Sequence, residues 1–265
     1  MRAVLGIARK ELSVAFTTPV AWVVFTVVAF FSALFFTGAL ENFRYVASRA
    51  QELQSSGLLD RMNLTDMVVA RLFGSVGLFL FVATPFLSMR LLAEEKRAST
   101  FELLLTTPVR PIEIVLGKYL SSLVVLAAAV AIVALFPAAL AAVGRGAQGG
   151  AAVEWATVGT GLLGLFLLGA AGLAVGLFFS ALTDAPVVAA LLSLLVLLGL
   201  WMGTFFTVGA GAAARQLAQS LSAAEHLAGF LAGRIALPDV LYFLSLVALG
   251  LYLADRAVEG HRWAS

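Results

Sequence analysis

The charged side chains of this 265-residue chain are most concentrated at residues 94–97, a Glu-Glu-Lys-Arg run between two long apolar stretches. Carboxylates and basic groups in such a run form ionic hydrogen bonds with a complementary polar surface. Ser99 and Glu102 follow at the spacing of a helix capping box. The pattern predicts a short amphipathic helix, at about residues 92–107, that docks on a soluble partner. The alternative is a solvated loop beside the membrane, because most charge runs are solvated.

Motifs for catalysis are absent from the sequence. Its one Gly-Lys pair, Gly117-Lys118, lacks the upstream glycine of a phosphate-binding loop. The His-Glu-x-x-His and Gly-x-Ser-x-Gly patterns of metallopeptidases and serine hydrolases do not occur. The two histidines, His226 and His261, are too few for a metal site, and Glu225-His226 is interpreted as a pair on the surface or in the fold. We therefore predict no enzyme activity, bound cofactor or metal for this chain.

The composition excludes an ordinary soluble domain. Hydrophobic residues make up 62% of the chain and charged residues 12%, with a mean hydropathy of +1.02. Soluble domains contain about a quarter charged residues. The net charge of +2 is typical of Lys and Arg in the cytoplasmic loops of membrane proteins, and it does not indicate nucleic-acid binding. The sequence predicts an all-α membrane protein.

Apolar periodicity divides the chain into an amphipathic helix and six transmembrane helices. Residues 1–19 are predicted to lie in the headgroup plane, before the membrane domain at 20–256 and a cytoplasmic tail at 257–265. The spans are predicted at residues 20–40, 67–89, 118–143, 155–182, from the turn at 183–186 to 208, and 239–254. The apolar segment between the last two spans is predicted as a broken helix that re-enters the membrane.

Basic residues are distributed unevenly between the two predicted sides of the membrane. The side with both termini and the 90–118 segment carries Arg2, Arg9, Lys10, Arg90, Lys96, Arg97, Arg110, Lys118, Arg256 and Arg262. The other side carries Arg44, Arg49, Arg61, Arg71, Arg145, Arg215 and Arg234. This excess predicts that both termini and the helix at 92–107 are cytoplasmic.

Several motifs resemble the permease subunits of exporter-type ABC transporters of the second class. The run that starts Glu94-Glu95-Lys96-Arg97-x-Ser-Thr-Phe-Glu and ends Gly117-Lys118 is similar to the cytoplasmic coupling helix of that family. Arg9-Lys10-Glu11-Leu12 and Thr18-Pro19-Val20-Ala21 resemble the family's amino terminus. Together with residues 227–242, these motifs are closest to its gliding-motility-associated branch.

The resemblance implies a half-transporter in the bacterial inner membrane. Two permeases, identical or related, would assemble with two copies of a cytoplasmic ATPase that holds ATP and Mg²⁺. An accessory subunit with an extracytoplasmic domain and membrane lipids are the other implied partners. The implied ATPase contacts are Glu94, Glu95, Lys96, Arg97, Thr100 and Glu102, with a secondary contact at Asp184.

Small residues recur at four-residue spacing in two predicted spans: Gly172, Gly176 and Ser180 in the fourth, and Gly199 and Gly203 in the fifth. Such ridges let helices approach closely in lipid. In the fourth span we predict packing within the chain, with a subunit interface as the alternative. In the fifth we predict a subunit interface, because permeases of the resembled family meet through the first and fifth helices. Phe205 and Phe206 are predicted as an outer hydrophobic gate or an interface belt.

Three functions are consistent with these patterns. The first is an ATP-driven exporter, and the second is a membrane scaffold that transmits force without transporting a cargo. The third, an ion-coupled carrier, is disfavoured because the predicted spans contain almost no ionisable residues in their interiors. The cargo of an exporter is not indicated by the sequence.

Overall fold

A computed structural model describes residues 2–52, 65–98, 110–144, 153–203 and 211–264, and every regular element in these ranges is helical. A π-helical turn, Thr65–Val69, leads into the third helix. The α-helices are α1 (Arg2–Thr17), α2 (Pro19–Glu52), α3 (Ala70–Ser88), α4 (Arg90–Arg97), α5 (Pro111–Gly144), α6 (Trp155–Leu182), α7 (Pro186–Met202), α8 (Ala212–Leu221), α9 (Ala223–Leu231) and α10 (Leu237–Ala264).

Five helical stretches in the described residues are long and apolar enough to cross a membrane. They are Ala21–Glu52, Thr65–Arg97, Pro111–Ala142, Trp155–Leu182 and Leu237–Gly260. α7 is also apolar, but with 17 residues it is shorter than these five stretches. The prediction of an all-helical, multi-pass membrane protein is confirmed, and the sixth span stays a prediction.

Several predicted helix ends differ from the observed ones. α2 continues past residue 40 to Glu52, because the polar residues after 40 include no proline or glycine that would end a helix. α5 starts at Pro111, since proline suits the first position of a helix. Lys118 therefore lies inside α5 rather than at its start. α10 continues through most of the predicted tail to Ala264.

The predicted coupling helix is described only in part. α4 begins at Arg90, two residues before the predicted start, and ends at Arg97, where Ala98 forms a turn. Residues 99–109 lie outside the described residues, and Thr100 and Glu102 are among them. The segment between the fifth and sixth predicted spans contains two short helices, α8 and α9. Its predicted position in the membrane is not tested.

α6 is the central helix of the bundle, and its glycines let neighbouring helices approach closely. A Cβ atom added at Gly172 would lie 2.3 Å from Thr84 Oγ1, and one added at Gly176 would lie 1.9 Å from Ser88 Oγ. Both hydroxyl groups belong to α3. The glycine ridge of the fourth predicted span therefore packs within the chain, as favoured from the sequence.

Thr84 has a second role in α3. Pro85 has no N–H group to donate to the carbonyl oxygen of Phe81, one turn earlier. The Thr84 hydroxyl donates to that oxygen instead, at 2.9 Å. The helix thus keeps its buried carbonyl paired at the point where α3 packs against Gly172.

We expect Gly176→Ala to destabilise the protein by about 1–3 kcal/mol, because the added methyl group would overlap the Ser88 side chain. The measurement is the thermal unfolding of the purified protein in detergent. Gly159→Ala is the matched control in the same helix, since no atom lies within 4 Å of its added Cβ. There the gain in helix propensity, up to about 1 kcal/mol, is expected to leave stability equal or higher. Equal unfolding temperatures for the two variants would contradict the packing described here.

Candidate functional site: the α4 junction

The candidate site is the place where α4 joins the helix bundle, and we call it the α4 junction. It consists of α4 with Glu11 of α1, Lys118 of α5, and Ser180 and Ala181 of α6. α4 follows α3 after a turn at Met89, and its side chains at Leu92 and Ala93 are fully buried. These two apolar side chains fix which face of the short helix is turned toward the bundle.

Ser180 caps the start of α4 from another helix. The first amide groups of an α-helix have no acceptor within the helix, and a side chain just before the helix usually supplies one. Met89 at that position makes no side-chain cap. The N–H groups of Leu92 and Ala93 donate instead to Ser180 Oγ, at 3.1 and 3.0 Å, and the Ser180 hydroxyl donates to the Met89 carbonyl at 2.9 Å. One buried hydroxyl group thus joins α4 to α6.

Lys118 makes the ionic part of the junction. Its side chain is 2% exposed, and Nζ donates to Glu95 Oε1 at 2.8 Å and to Glu11 Oε1 at 3.1 Å. A buried ammonium group is stable only when nearby carboxylates compensate for its lost hydration. Lys118 of α5 is therefore bonded to α4 through Glu95 and to α1 through Glu11.

Gly117 allows α1 to approach α5 at this point. A Cβ atom at Gly117 would lie 2.8 Å from Ile7 Cβ and 3.1 Å from the carbonyl oxygen of Val4, so a larger side chain would displace α1. The helix that carries Glu11 is thereby held next to Lys118. The Gly-Lys pair at 117–118, which is not part of a phosphate-binding loop, has a packing role and an ionic role here.

Lys96 attaches α4 to the end of α6. Its Nζ donates to the carbonyl oxygen of Ala181, in the last turn of α6. Such carbonyls lack partners within their own helix, and a cation there is favoured by the helix dipole. Asp184, in the turn between α6 and α7, interacts electrostatically with the same ammonium group. Two of the sequence-predicted contact residues, Lys96 and Asp184, therefore interact through their charges.

The structure separates the charged residues of the predicted contact set into two groups. Glu95 and Lys96 bind other helices of this chain, as described above. Glu94 and Arg97 are exposed, and Glu94 Oε2 lies 4.0 Å from Arg90 Nε within α4. Thr100 and Glu102 lie outside the described residues.

The two glycines predicted for subunit contact lie at the end of α7 that is farther from this junction. Gly199 faces open space, and a Cβ atom at Gly203 would be 3.7 Å from the carbonyl oxygen of Ala218. Phe205 and Phe206 lie outside the described residues.

Three residues of the junction were not identified from the sequence: Glu11, Lys118 and Ser180. Lys118 was counted with the basic residues of the loop side, and Ser180 was assigned only to a packing ridge. A signal for Lys118 was present, since it is a lone charge followed by a long apolar run. Its partner in α1 lies 107 positions away in the sequence, so no local pattern indicated the pairing.

A second polar cluster joins α9 to α10. His226 Nδ1 lies 2.7 Å from Asp239 Oδ1, Nε2 lies 3.2 Å from the carbonyl oxygen of Ser220, and the ring stacks on Tyr242 with centroids 4.1 Å apart. His226 thus has a role in the fold, as interpreted from the sequence, and its carboxylate partner is Asp239. In the part of the chain that the structure describes, no three His, Cys, Asp or Glu residues are grouped as they would be around a metal ion.

Comparison with protein families gives a match over most of the chain. The family model described as ABC-2 family transporter protein matches residues 5–252, which is nearly the whole chain. A search of the curated proteins found no match.

We expect Lys118→Met to destabilise the protein by about 3–5 kcal/mol, because two carboxylates would then face each other without a cation. The measurement is thermal unfolding in detergent. The triple variant Glu11→Gln/Glu95→Gln/Lys118→Met removes the charges together and should recover most of the loss. Lys10→Met is the control: this lysine is 65% exposed and 3.8 Å from Glu11, so the expected change is within about 1 kcal/mol. If the triple variant lost as much stability as Lys118→Met, the unpaired carboxylates would not be the cause of the destabilisation.

Proposed function

Because this chain belongs to the ABC-2 family of transporter proteins, we propose that it is the transmembrane permease subunit of an ATP-driven exporter. A separate ATPase subunit would bind ATP and Mg²⁺ and hydrolyse the nucleotide. The observation that carries the proposal is the α4 junction, in which one short polar helix is bonded directly to α5 and α6, and through Lys118 of α5 to α1. A displacement of α4 therefore reaches α5 and α6 by direct contacts and α1 through Lys118.

In this mechanism the ATPase binds the exposed side of α4 and the residues that follow it. Glu94 is exposed, and Thr100 and Glu102 are its proposed companions in the contact. Glu95 and Lys96 serve a different purpose, since they pass the displacement to Lys118 and to the end of α6. Asp184 interacts electrostatically with Lys96 and forms the proposed secondary contact.

The proposed topology has six spans, with α7 and the residues up to about 208 as the fifth. Both termini and α4 lie on the cytoplasmic side of a bacterial inner membrane. The distribution of Lys and Arg along the sequence supports this orientation.

The proposed assembly contains two permeases, identical or related, and two ATPase subunits. Apolar side chains on α2 and α7 are exposed in the single chain, among them Trp22, Phe30 and Leu195, and a second permease would cover part of these faces. The proposed contact points are Gly199 on α7 and Gly203, the residue that follows α7. Phe205 and Phe206 are proposed as an outer gate, and an accessory subunit with an extracytoplasmic domain as a further partner.

The orientation is tested with single cysteines, since the native chain has none. Ala98 follows α4, Ala213 belongs to α8, and both are exposed. In spheroplasts, a membrane-impermeant maleimide should label Ala213→Cys at once and Ala98→Cys only after permeabilisation. The reverse pattern would place α4 outside the cell and eliminate an ATPase contact there.

The ATPase contact is tested by copurification of the tagged chain from its native membrane. We expect Glu94→Ala/Glu102→Ala to reduce the bound ATPase about tenfold or more, as the loss of a central interface residue does. Glu52→Ala is the matched control, because its side chain is 64% exposed and lies at the end of α2, away from α4. Full retention of the ATPase by the double variant, with unchanged ATP hydrolysis, would contradict the proposed contact.

A scaffold that transmits force without cargo is the second candidate. It is favoured by the similarity of the amino terminus and residues 227–242 to the gliding-motility-associated branch. The two functions differ in what stimulates ATP hydrolysis by the complex in liposomes. A small-molecule or lipid cargo would stimulate an exporter, whereas only another protein would stimulate the scaffold. Transport that persists without any ATPase would instead indicate an ion-coupled carrier.

A further inference from the structure

A cavity of about 400 Å³ lies between α4 and the start of α7. Its polar side is formed by Arg90, Glu94 and Arg97, and its apolar side by Met89, Pro186 and Val187. We propose that this cavity binds the head group of an anionic phospholipid from the leaflet that faces α4. The proposal goes beyond the exporter function, since it needs a membrane but no ATPase.

The charges around the cavity favour an anion. Two guanidinium groups and one carboxylate line it, which leaves one net positive charge among the described lining residues. Arg90 and Glu94 are 4.0 Å apart and 56% and 59% exposed, so their mutual attraction is weak and leaves other N–H groups of Arg90 available. A guanidinium group has five N–H donors in a planar fork, a geometry that fits phosphate oxygens.

The apolar side of the cavity continues along α7. Val187 is 66% exposed, and Leu191 and Leu195, four and eight residues further on, are 61% and 71% exposed. Residues at four-residue spacing lie on one side of a helix. This apolar stripe begins at the cavity and is long enough to lie beside the upper part of an acyl chain.

The position of the cavity also fits a lipid. Arg90 lies two residues after the end of the apolar helix α3, and Pro186 begins the apolar helix α7, so the cavity lies at the ends of two apolar helices. In a bilayer, the charged phosphate of a phospholipid lies just outside this boundary and its acyl chains begin just inside it. A free phosphate ion would use the arginines but leave the stripe uncovered.

This site changes the role of Arg97. The family resemblance implies an ATPase contact for it, whereas its position on the cavity gives it a lipid phosphate as its partner.

The test uses the full chain, purified in detergent without an ATPase. Thermal unfolding is followed while phosphatidylglycerol, phosphatidylcholine or inorganic phosphate is added, and retained lipids are counted by native mass spectrometry. We expect phosphatidylglycerol to raise the unfolding temperature by several degrees and the other two to have a much smaller effect. Arg90→Gln/Arg97→Gln should weaken the apparent affinity for phosphatidylglycerol about tenfold or more, because charge-assisted hydrogen bonds are lost.

Arg256→Gln is the matched control, since Arg256 is 54% exposed and binds carboxylates on α10. It should keep the full response. If the double arginine variant does not fold, Val187→Trp, which fills the cavity from its apolar side, should remove one retained lipid. Equal responses to the two phospholipids, a full response of the arginine variant, or an equal response to inorganic phosphate would each overturn the proposal. Because no ATPase is present, these outcomes are independent of the proposed function.

Discussion

A lysine ammonium group that is buried between two carboxylates holds together the end of the bundle at which α4 is attached. Removing a charged group from water costs several kcal/mol, and Lys118 is stable in its position only because Glu11 and Glu95 surround it. Each of the three charges belongs to a different helix. A movement of α4 must therefore carry α1 and α5 with it or separate charges that have lost their water. The ionic contacts make the three helices one mechanical unit.

The opposite side of α4 is attached by bonds of another kind. Ser180 accepts hydrogen bonds from the first amide groups of α4, and Lys96 donates to the carbonyl oxygen of Ala181 in the last turn of α6, so each helix completes the end of the other. α6 in turn packs at Gly172 and Gly176 directly against the Thr84 and Ser88 side chains of α3. The centre of the molecule is thus closely packed around one helix. Its flanks on α2 and α7 expose apolar side chains, which in a membrane contact lipid or another subunit.

The sequence predicted the all-helical architecture and the full extent of α6, because turn residues mark both of its ends. α2 continues beyond the predicted span into the polar stretch, because polar side chains do not stop a helix unless glycine, proline or a competing contact does. Lys118 was predicted at the start of the third span, although Pro111, which suits the first position of a helix, lies seven residues earlier and begins α5. The role of Ser180 depends on backbone amide groups of α4, 88 positions away along the chain, and side-chain patterns carry no information about such donors.

The capping of α4 by Ser180 has a consequence for biosynthesis. The ribosome makes the residues of α4 well before it makes Ser180, and during that interval the first amide groups of α4 have only water as an acceptor. A helix of eight residues is too short to be stable by itself. α4 therefore acquires its shape only after α6 has been inserted beside α3. An unfinished or truncated chain would present no ordered α4, so a partner that bound only the folded helix would not bind such a chain.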